Sequence, residues 1–435
     1  MNAPGEFRPS PAWRAAYSFL FLPLFWLVVH LLTPWNRKVR KGLRGRRGVR
    51  GRLEAALRSK PDGKRAWVHV SSMGEFEQAK PIIERLKELV PGLRVVVSFF
   101  SPSGFEHSFR YEHADCITYI PFDAKREAAR FLDVVRPSLA LFVRYDVWPN
   151  HVWECSRRGI PVVLVNATLR TDSARLLPLA RSFHERLYGA FEVVITVSEQ
   201  DAAAFARLGL PGEKILVAGD TRFDRVAGRA AHARTHTLLP EKVTAGRRVL
   251  VLGSTWPEDE EVVLPAVLAI LRRDPEVLCV IVPHEPTVDR LEGIEYRLRG
   301  RAASRRFSYI SAWEGERVIL VDAVGLLLPL YACASIAFVG GGFRSNVHNT
   351  LEPAAYGIPV LYGPRIQNSR EAEALARCGG GFIVSDRRAF YKTVRQLLTD
   401  ERLRAESGTR AAEFVAVHAG ATERIVERLL PLLGR

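Results

Sequence analysis

Residues 335–364 read S-I-A-F-V-G-G-G-F-R-S-N-V-H-N-T-L-E-P-A-A-Y-G-I-P-V-L-Y-G-P. A wholly apolar run passes into three glycines, a polar cluster and a helical segment, and a second apolar run follows. Continuous apolar runs are strands covered on both faces, and two such strands joined through a helix form the crossover of a parallel sheet. Gly340, Gly341 and Gly342 let the backbone approach an anion closely, and a helix starting near His348 or Asn349 would aim unpaired N–H groups at it. Glu352, in the first turn, is placed to accept from a ribose diol. The competing reading is a plain tight turn, with Glu352 a partner for the helix dipole. So many polar side chains at the end of a strand (Asn346, His348, Asn349, Glu352) favour a ligand.

Working outward, the same alternation extends in both directions. Residues 248–254, 277–283, 317–322, 335–341 and 359–364 read as strands of one half, and residues 67–72, 94–100, 138–143, 161–167 and 193–198 as strands of an earlier half. The stretch 227–247 has no strand signal and the composition of a connection. The expected architecture is α/β: two Rossmann-like domains facing across a cleft, with the ligand where the carboxyl ends of their strands meet. The expected boundaries are an anchor and basic flank over 1–52, a first Rossmann-like domain over 53–228, a linker over 229–245, a second Rossmann-like domain over 246–415, and a final helix over 416–435 packing back on the first domain.

In the first half, V-H-V-S-S-M-G-E-F-E-Q-A-K-P-I-I (68–83) ends a strand at Ser71 and Ser72 and opens a helix. Partial burial would raise the basicity of Glu75 there and suit it to take a proton from an acceptor hydroxyl. The alternative is a carboxylate at a helix terminus, a part that suits Glu77. In the second half Ser254 and Thr255, His284, and Arg365 with Gln367 and Asn368 each follow a strand, although Asn368 and Glu371 also have capping-box spacing. No H-E-x-x-H, P-loop lysine or Asp-x-Asp after a strand is present, so no metal is expected. Leaving-group charge would then fall to amides and to Arg or His side chains.

The formal charge of +16 calls for an acidic partner. Residues 15–32 carry no formal charge, and Arg37, Lys38, Arg40, Lys41, Arg44, Arg46, Arg47, Arg50 and Arg52 follow with no acidic residue among them. An apolar run of this length is a membrane anchor, and the basic flank places the bulk of the chain on the cytoplasmic side. Spanning is the expectation, with lying in the headgroup region the alternative that Pro23 and His30 leave open. No nucleic-acid motif follows the basic run. Five scattered cysteines without a C-x-x-C pair read as buried thiols in a reducing compartment.

Taken together, S-S-M-G-E-F-E-Q-A-K-P-I-I-E, F-F-S-P-S-G, R-Y-D-V-W-P-N, A-G-D-T-R-F-D-R-V, G-S-T-W-P-E-D-E-E and H-N-T-L-E-P-A-A-Y-G-I-P-V-L-Y-G-P, in that order, resemble the lipid A Kdo (3-deoxy-D-manno-octulosonic acid) transferases of the GT-B fold. The likeness covers nearly the whole chain. It implies metal-free, inverting transfer of Kdo from CMP-Kdo to a lipid A precursor (lipid IVA) in lipopolysaccharide synthesis, at the cytoplasmic face of the bacterial inner membrane. CMP-Kdo is the donor substrate, no cofactor is implied, and anionic membrane lipids are further partners. Glu75 matches the family's base, and Asn349 and Glu352 with the preceding glycines match its CMP motif. Ser72, Arg144 and Asp146, with Arg365 and Asn368, are candidates for either sugar. The rivals are a GT-B transferase using a UDP-sugar and a non-catalytic module that binds anionic lipid.

Overall fold

The computed structural model describes residues 10–58, 63–233, 238–367 and 369–434. Asn368 and residues 234–237 of the expected linker lie outside them. The first sheet holds β1 (Arg65–Val70), β2 (Arg94–Phe99), β3 (Cys116–Tyr119), β4 (Leu139–Val143), β5 (Val162–Ala167), β6 (Val193–Thr196) and β7 (Ile215–Val217). Their order is β3-β2-β1-β4-β5-β6-β7, every pair parallel. The second sheet holds β8 (Arg248–Thr255), β9 (Val277–Pro283), β10 (Ser304–Arg306), β11 (Val318–Leu320), β12 (Ile336–Val339), β13 (Val360–Tyr362) and β14 (Gly381–Ile383). Its order is β10-β11-β9-β8-β12-β13-β14, again all parallel.

Chain order reverses between β1 and β4 in the first sheet and between β8 and β12 in the second, where β10 and β11 are also exchanged at the edge. At such a point neighbouring crossovers leave in opposite directions and open a crevice at the carboxyl ends of the strands. Both expected site loops fall there, the first after β1 and the second after β12.

The chain divides into two compact units, Met1–Arg225 with Ala419–Arg435, and Val226–His418. The stretch expected to be a plain connection begins instead as helix Thr221–Ala233. The final helix, Ala421–Gly434, inserts Ile425, Val426, Leu429, Leu432 and Leu433 into the core beside Ala66 and Val68 of β1. Asp224 pins its start by accepting from the Thr422 N–H and hydroxyl, each at 2.6 Å.

The N-terminal helix runs over Pro11–Leu32 with mean hydropathy 2.0, long and apolar enough to cross a membrane. Tyr17–Phe21 form a π-helical turn just ahead of Pro23. A proline ring collides with the carbonyl four residues back, and the wider turn relieves that clash without ending the helix. One side of the helix is tied to the first unit: the Tyr17 hydroxyl donates to the buried Asp123 at 2.8 Å, Trp13 donates to Ser182 at 3.3 Å, and the Trp26 and Phe122 rings lie 4.2 Å apart. Phe19, Leu24, Leu27 and Leu31 on other sides are exposed.

The basic run forms helices Arg37–Arg46 and Val49–Arg58. One of its members turns inward. Arg46 lies over the rings of Phe100, Tyr119 and Phe122 and donates to the carbonyls of Ile120 and Phe100, and burial lowers its pKa to about 10. Neutralising Arg37, Lys38, Arg44 and Arg47, all exposed, is expected to weaken binding to anionic vesicles by roughly fivefold per charge without moving the melting temperature. Arg46→Ala is expected to do the reverse; vesicle sedimentation beside thermal melts separates the two.

Candidate active site

Helix Met73–Leu89 begins directly after β1, with Ser72 at its N-cap. The capping box is closed by Glu75, whose Oε2 accepts from the N–H of Ser71 at 2.5 Å and of Ser72 at 3.3 Å. Sequence reasoning assigned the terminal carboxylate to Glu77; that side chain instead pairs with Lys80 and Arg225. The third position of a helix is where a side chain can reach back to the cap, and Glu75 occupies it. Glu75 is 4% exposed. Burial pushes its pKa up to about 7 against the lowering effect of the Ser71 N–H, with the charge of Asp146 adding to the rise and Arg144 opposing it.

The loop after β4 supplies those two neighbours. A hydrogen-bonded chain runs from Trp67 through Ser98 and His69 to Asp146, at 2.8, 2.9 and 3.1 Å. Burial holds His69 below its ordinary pKa, so its ring is neutral, with Nε2–H donating to Asp146 and Nδ1 accepting from the Ser98 hydroxyl. Burial works to raise the Asp146 carboxyl, but hydrogen bonds from His69, Trp148 and Ser71 outweigh it and keep the group below the usual range. Two acids near one another thus hold opposite states near pH 7, Asp146 charged and Glu75 half protonated, the pattern that separates a fixed charge from a working base. Arg144 sits at φ +65° and its buried Nε has no hydrogen-bond partner. A left-handed arginine at the end of a central strand is strained.

In the second unit the glycine turn has a different use from the one expected. Asp259, fully buried, accepts from the N–H of Gly341 at 2.7 Å, Phe343 at 3.2 Å and Trp256 at 2.9 Å. The chain's own carboxylate therefore takes two amides expected to face a phosphate. The glycines are required by packing: a Cβ on Gly340 would lie 2.3 Å from the Ser254 carbonyl oxygen, and one on Gly342 would lie 2.7 Å from the Gly363 nitrogen. Gly341 itself has φ +91°. The following helix covers only Leu351–Ala355, starting two residues later than expected at Asn349. Asn349 is exposed and turns its side chain to the Leu351 N–H at 3.1 Å. Glu352 stands 4.0 Å from Arg229.

The other candidates separate into two groups. Thr255 is buried and its hydroxyl donates to Glu260 at 2.8 Å, which makes it a structural residue. Ser254, at φ +52°, sits on the β8 irregularity. His284 and His348 stack with ring centroids 4.4 Å apart, and His348 Nε2 accepts from Trp256 at 2.8 Å. Burial, with His284 and Arg344 nearby, lowers the pKa of His348 to about 4, so it stays neutral. Arg344 lies 3.8 Å over the Trp256 ring, and Arg365 donates to the Arg344 carbonyl. Asn346 is exposed at the rim of the same turn. Sequence reasoning missed His69, Asp259, Trp256 and Arg344. For Asp259 a signal existed: Pro257 marks a first helical position, which places Asp259 at the reach-back position of that helix. Cys116, Cys155 and Cys279 are buried and Cys333 and Cys378 partly so. Among the described residues no group of three or more His, Cys, Asp or Glu side chains is placed to hold a metal ion.

Two doubly wound parallel sheets, each with a polar loop cluster at its switch point, define a protein of the GT-B class. Solved structures agree on the fold: UDP-GlcNAc 2-epimerase from Neisseria meningitidis bound to UDP-GlcNAc superposes with a TM-score of 0.59 over 84% of this chain and 100% of that chain, at 16% identity. An S. aureus MnaA–UDP structure gives 0.57 over 86% and 97%, at 13% identity. The family model for 3-deoxy-D-manno-octulosonic-acid transferase (kdotransferase) matches residues 43–225. The 3-deoxy-D-manno-octulosonic acid transferase of Chlamydophila psittaci is 31% identical over 83% of this chain and 84% of its own length. That of Haemophilus influenzae is 27% identical over 97% and 99%. The chain belongs to the 3-deoxy-D-manno-octulosonic acid transferase family and is a glycosyltransferase.

Proposed function

We propose that this chain transfers Kdo from CMP-Kdo to a lipid A precursor of the lipid IVA type, with inversion at the anomeric carbon, without a metal or cofactor, and with Glu75 as general base. The observation that carries this reading is the Glu75 carboxyl, buried at the end of β1 with a pKa near 7 beside a charged Asp146. A base of that pKa is half ionised at neutral pH and strong enough to take a hydroxyl proton as the new bond forms. A rival reading, a UDP-sugar donor, is kept in the test because the epimerase neighbour holds UDP-GlcNAc.

In this proposal donor binding falls to the second unit, with Glu352 and Asn349 toward the ribose. The Gly341 and Phe343 amides being committed to Asp259, developing phosphate charge is met instead by cationic and polar side chains at the turn: Arg344, Arg365, Ser254 and the His284–His348 pair. The N-terminal helix associates with the cytoplasmic leaflet of the inner membrane. Its ties to the first unit from Trp13 to Trp26 suit a helix half embedded along the interface, the alternative to a full span. Exposed arginines beside it attract anionic headgroups.

The test is incubation of the full chain with CMP-Kdo, generated in situ, and tetraacylated lipid A precursor, with product mass as the readout and UDP-sugars in parallel. A gain of one or more Kdo units is expected, and the mass also gives their number. A folded protein that transfers only from a UDP-sugar, or from neither donor, overturns the proposal.

A further inference from the structure

The polar cluster at the ends of β1 and β4 does not account for the cavity beside it. Between the N-terminal helix and helix Pro178–Tyr188 lies a groove of about 540 Å³, a volume within the roughly 300–1,000 Å³ of small-ligand sites. Its walls are apolar and include Ala16, Leu20, Phe25, Phe183 and Leu187. Close packing is the rule in protein interiors, so an apolar void of this size between aromatic rings is space kept for an apolar occupant.

The lining is not uniform. Asp146 and Arg175 belong to it. The Arg175 guanidinium is held there by donating to the Tyr188 hydroxyl at 3.0 Å and the Tyr145 carbonyl at 3.3 Å. Asp146 is the residue tied to His69 and Ser71 next to Glu75. Leu20 and Leu179 belong to it too and are 73% and 75% exposed. Leu20, Leu24, Leu27 and Leu31 recur at spacings of four and three residues and so form one stripe along the helix. The groove therefore joins the exposed apolar stripe of the helix to Asp146, the charged neighbour of Glu75. A molecule that fills it and also reaches Glu75 must carry a polar head and an apolar tail.

We propose that this groove seats one acyl chain of the acceptor lipid and so delivers the acceptor hydroxyl from the membrane to Glu75. The inference rests on the transferase reading above, and its test separates the two. Ala16→Trp and Ala180→Trp each fill the groove without touching Glu75 or the donor loops. Either is expected to raise KM for tetraacylated acceptor about tenfold, with KM for CMP-Kdo and turnover of a fully deacylated acceptor as in the wild type. Wild-type KM for the acylated acceptor in both folded variants overturns the groove. No transfer by the wild type to either acceptor overturns the transferase reading instead.

Photolabelling of the wild-type full chain gives an answer that depends neither on turnover nor on variants folding. An acceptor with a diazirine at one acyl terminus is expected to label Leu20, Phe25, Phe183 or Leu187. Label confined to Leu24, Leu27 and Leu31 overturns the proposal, as does equal labelling of the groove by phosphatidylglycerol carrying the same diazirine.

Discussion

Glu75→Gln is expected to lower transfer by between about a hundredfold and ten-thousandfold, the range for loss of a general base, while leaving the protein folded. The choice of glutamine matters because the carboxylate has two jobs. Its Oε2 caps helix Met73–Leu89 through the Ser71 and Ser72 N–H groups, and a glutamine oxygen accepts those bonds equally in a capping box. Glu75→Ala loses the cap as well, at about 0.5–2 kcal/mol, so the pair of variants divides chemistry from architecture. In the wild type, kcat/KM should fall about tenfold per pH unit below pH 6 and level off above pH 8, because the ionised form is the active one and the pKa lies at about 7. The residual activity of Glu75→Gln should lack that limb.

The stability of the same variant follows from the direction of the shift. The folded-state pKa stands above the ordinary 4.5, so the native state holds a proton more tightly than the unfolded chain, and wild-type stability declines as pH rises from about 4.5 through 7. Glutamine carries no charge to bury. Glu75→Gln should therefore melt no lower than the wild type at pH 8. Near wild-type transfer by Glu75→Gln would sink the assignment of the base.

The second large effect is expected from Asp259→Ala. Its carboxylate accepts from three backbone N–H groups belonging to two loops, after β8 and after β12. A buried donor left unpaired costs about 1–3 kcal/mol; with one of the three bonds buried and two part-buried, the loss should be at least about 3 kcal/mol against a typical total of about 5–15. The readout is a melting temperature lower by roughly 10 °C or more, together with loss of CMP-Kdo binding by calorimetry. Asp259→Asn keeps an acceptor oxygen but sets an amide NH2 against a donor, and should fall between. A melting temperature within about 2 °C of the wild type for Asp259→Ala would show that those amides find other partners.

The central strands were legible in the sequence because β1, β2, β4, β5, β8 and β9 are apolar runs of five to eight residues, buried on both faces. The four strands that were not legible are β3, β7, β10 and β14, and they are the four sheet edges. Each has three or four residues, such as Ser304-Arg305-Arg306. An edge strand has one bonded neighbour and one open side, so a run of three or four residues suffices there; charge further erases the apolar signal in β10, whereas β3, β7 and β14 are too short to stand out from their surroundings. The site was legible in proportion to how local its logic is. Glu75 was singled out by its position after a strand, whereas Arg144 and Asp146 became candidates only through the family resemblance. Asp259 and His69 act across the fold, on groups 82 and 29 residues away, and no spacing within one loop reports that. The glycine turn misled for a physical reason: close approach of backbone to an anion and close approach of backbone to backbone require the same residue, and here Gly340 and Gly342 serve the second.

The return of the final helix to the first unit has a consequence for biosynthesis. Ile425, Val426, Leu429, Leu432 and Leu433 complete a core whose other members lie between Ala66 and Ala218. A ribosome adding about 5–20 residues per second needs roughly ten to forty seconds to make the chain between Arg225 and the terminus. Over that interval the nascent first unit carries an apolar cleft with nothing to fill it. Completion of the first unit thus waits on synthesis of helix Ala421–Gly434, far along the chain from the strands it covers.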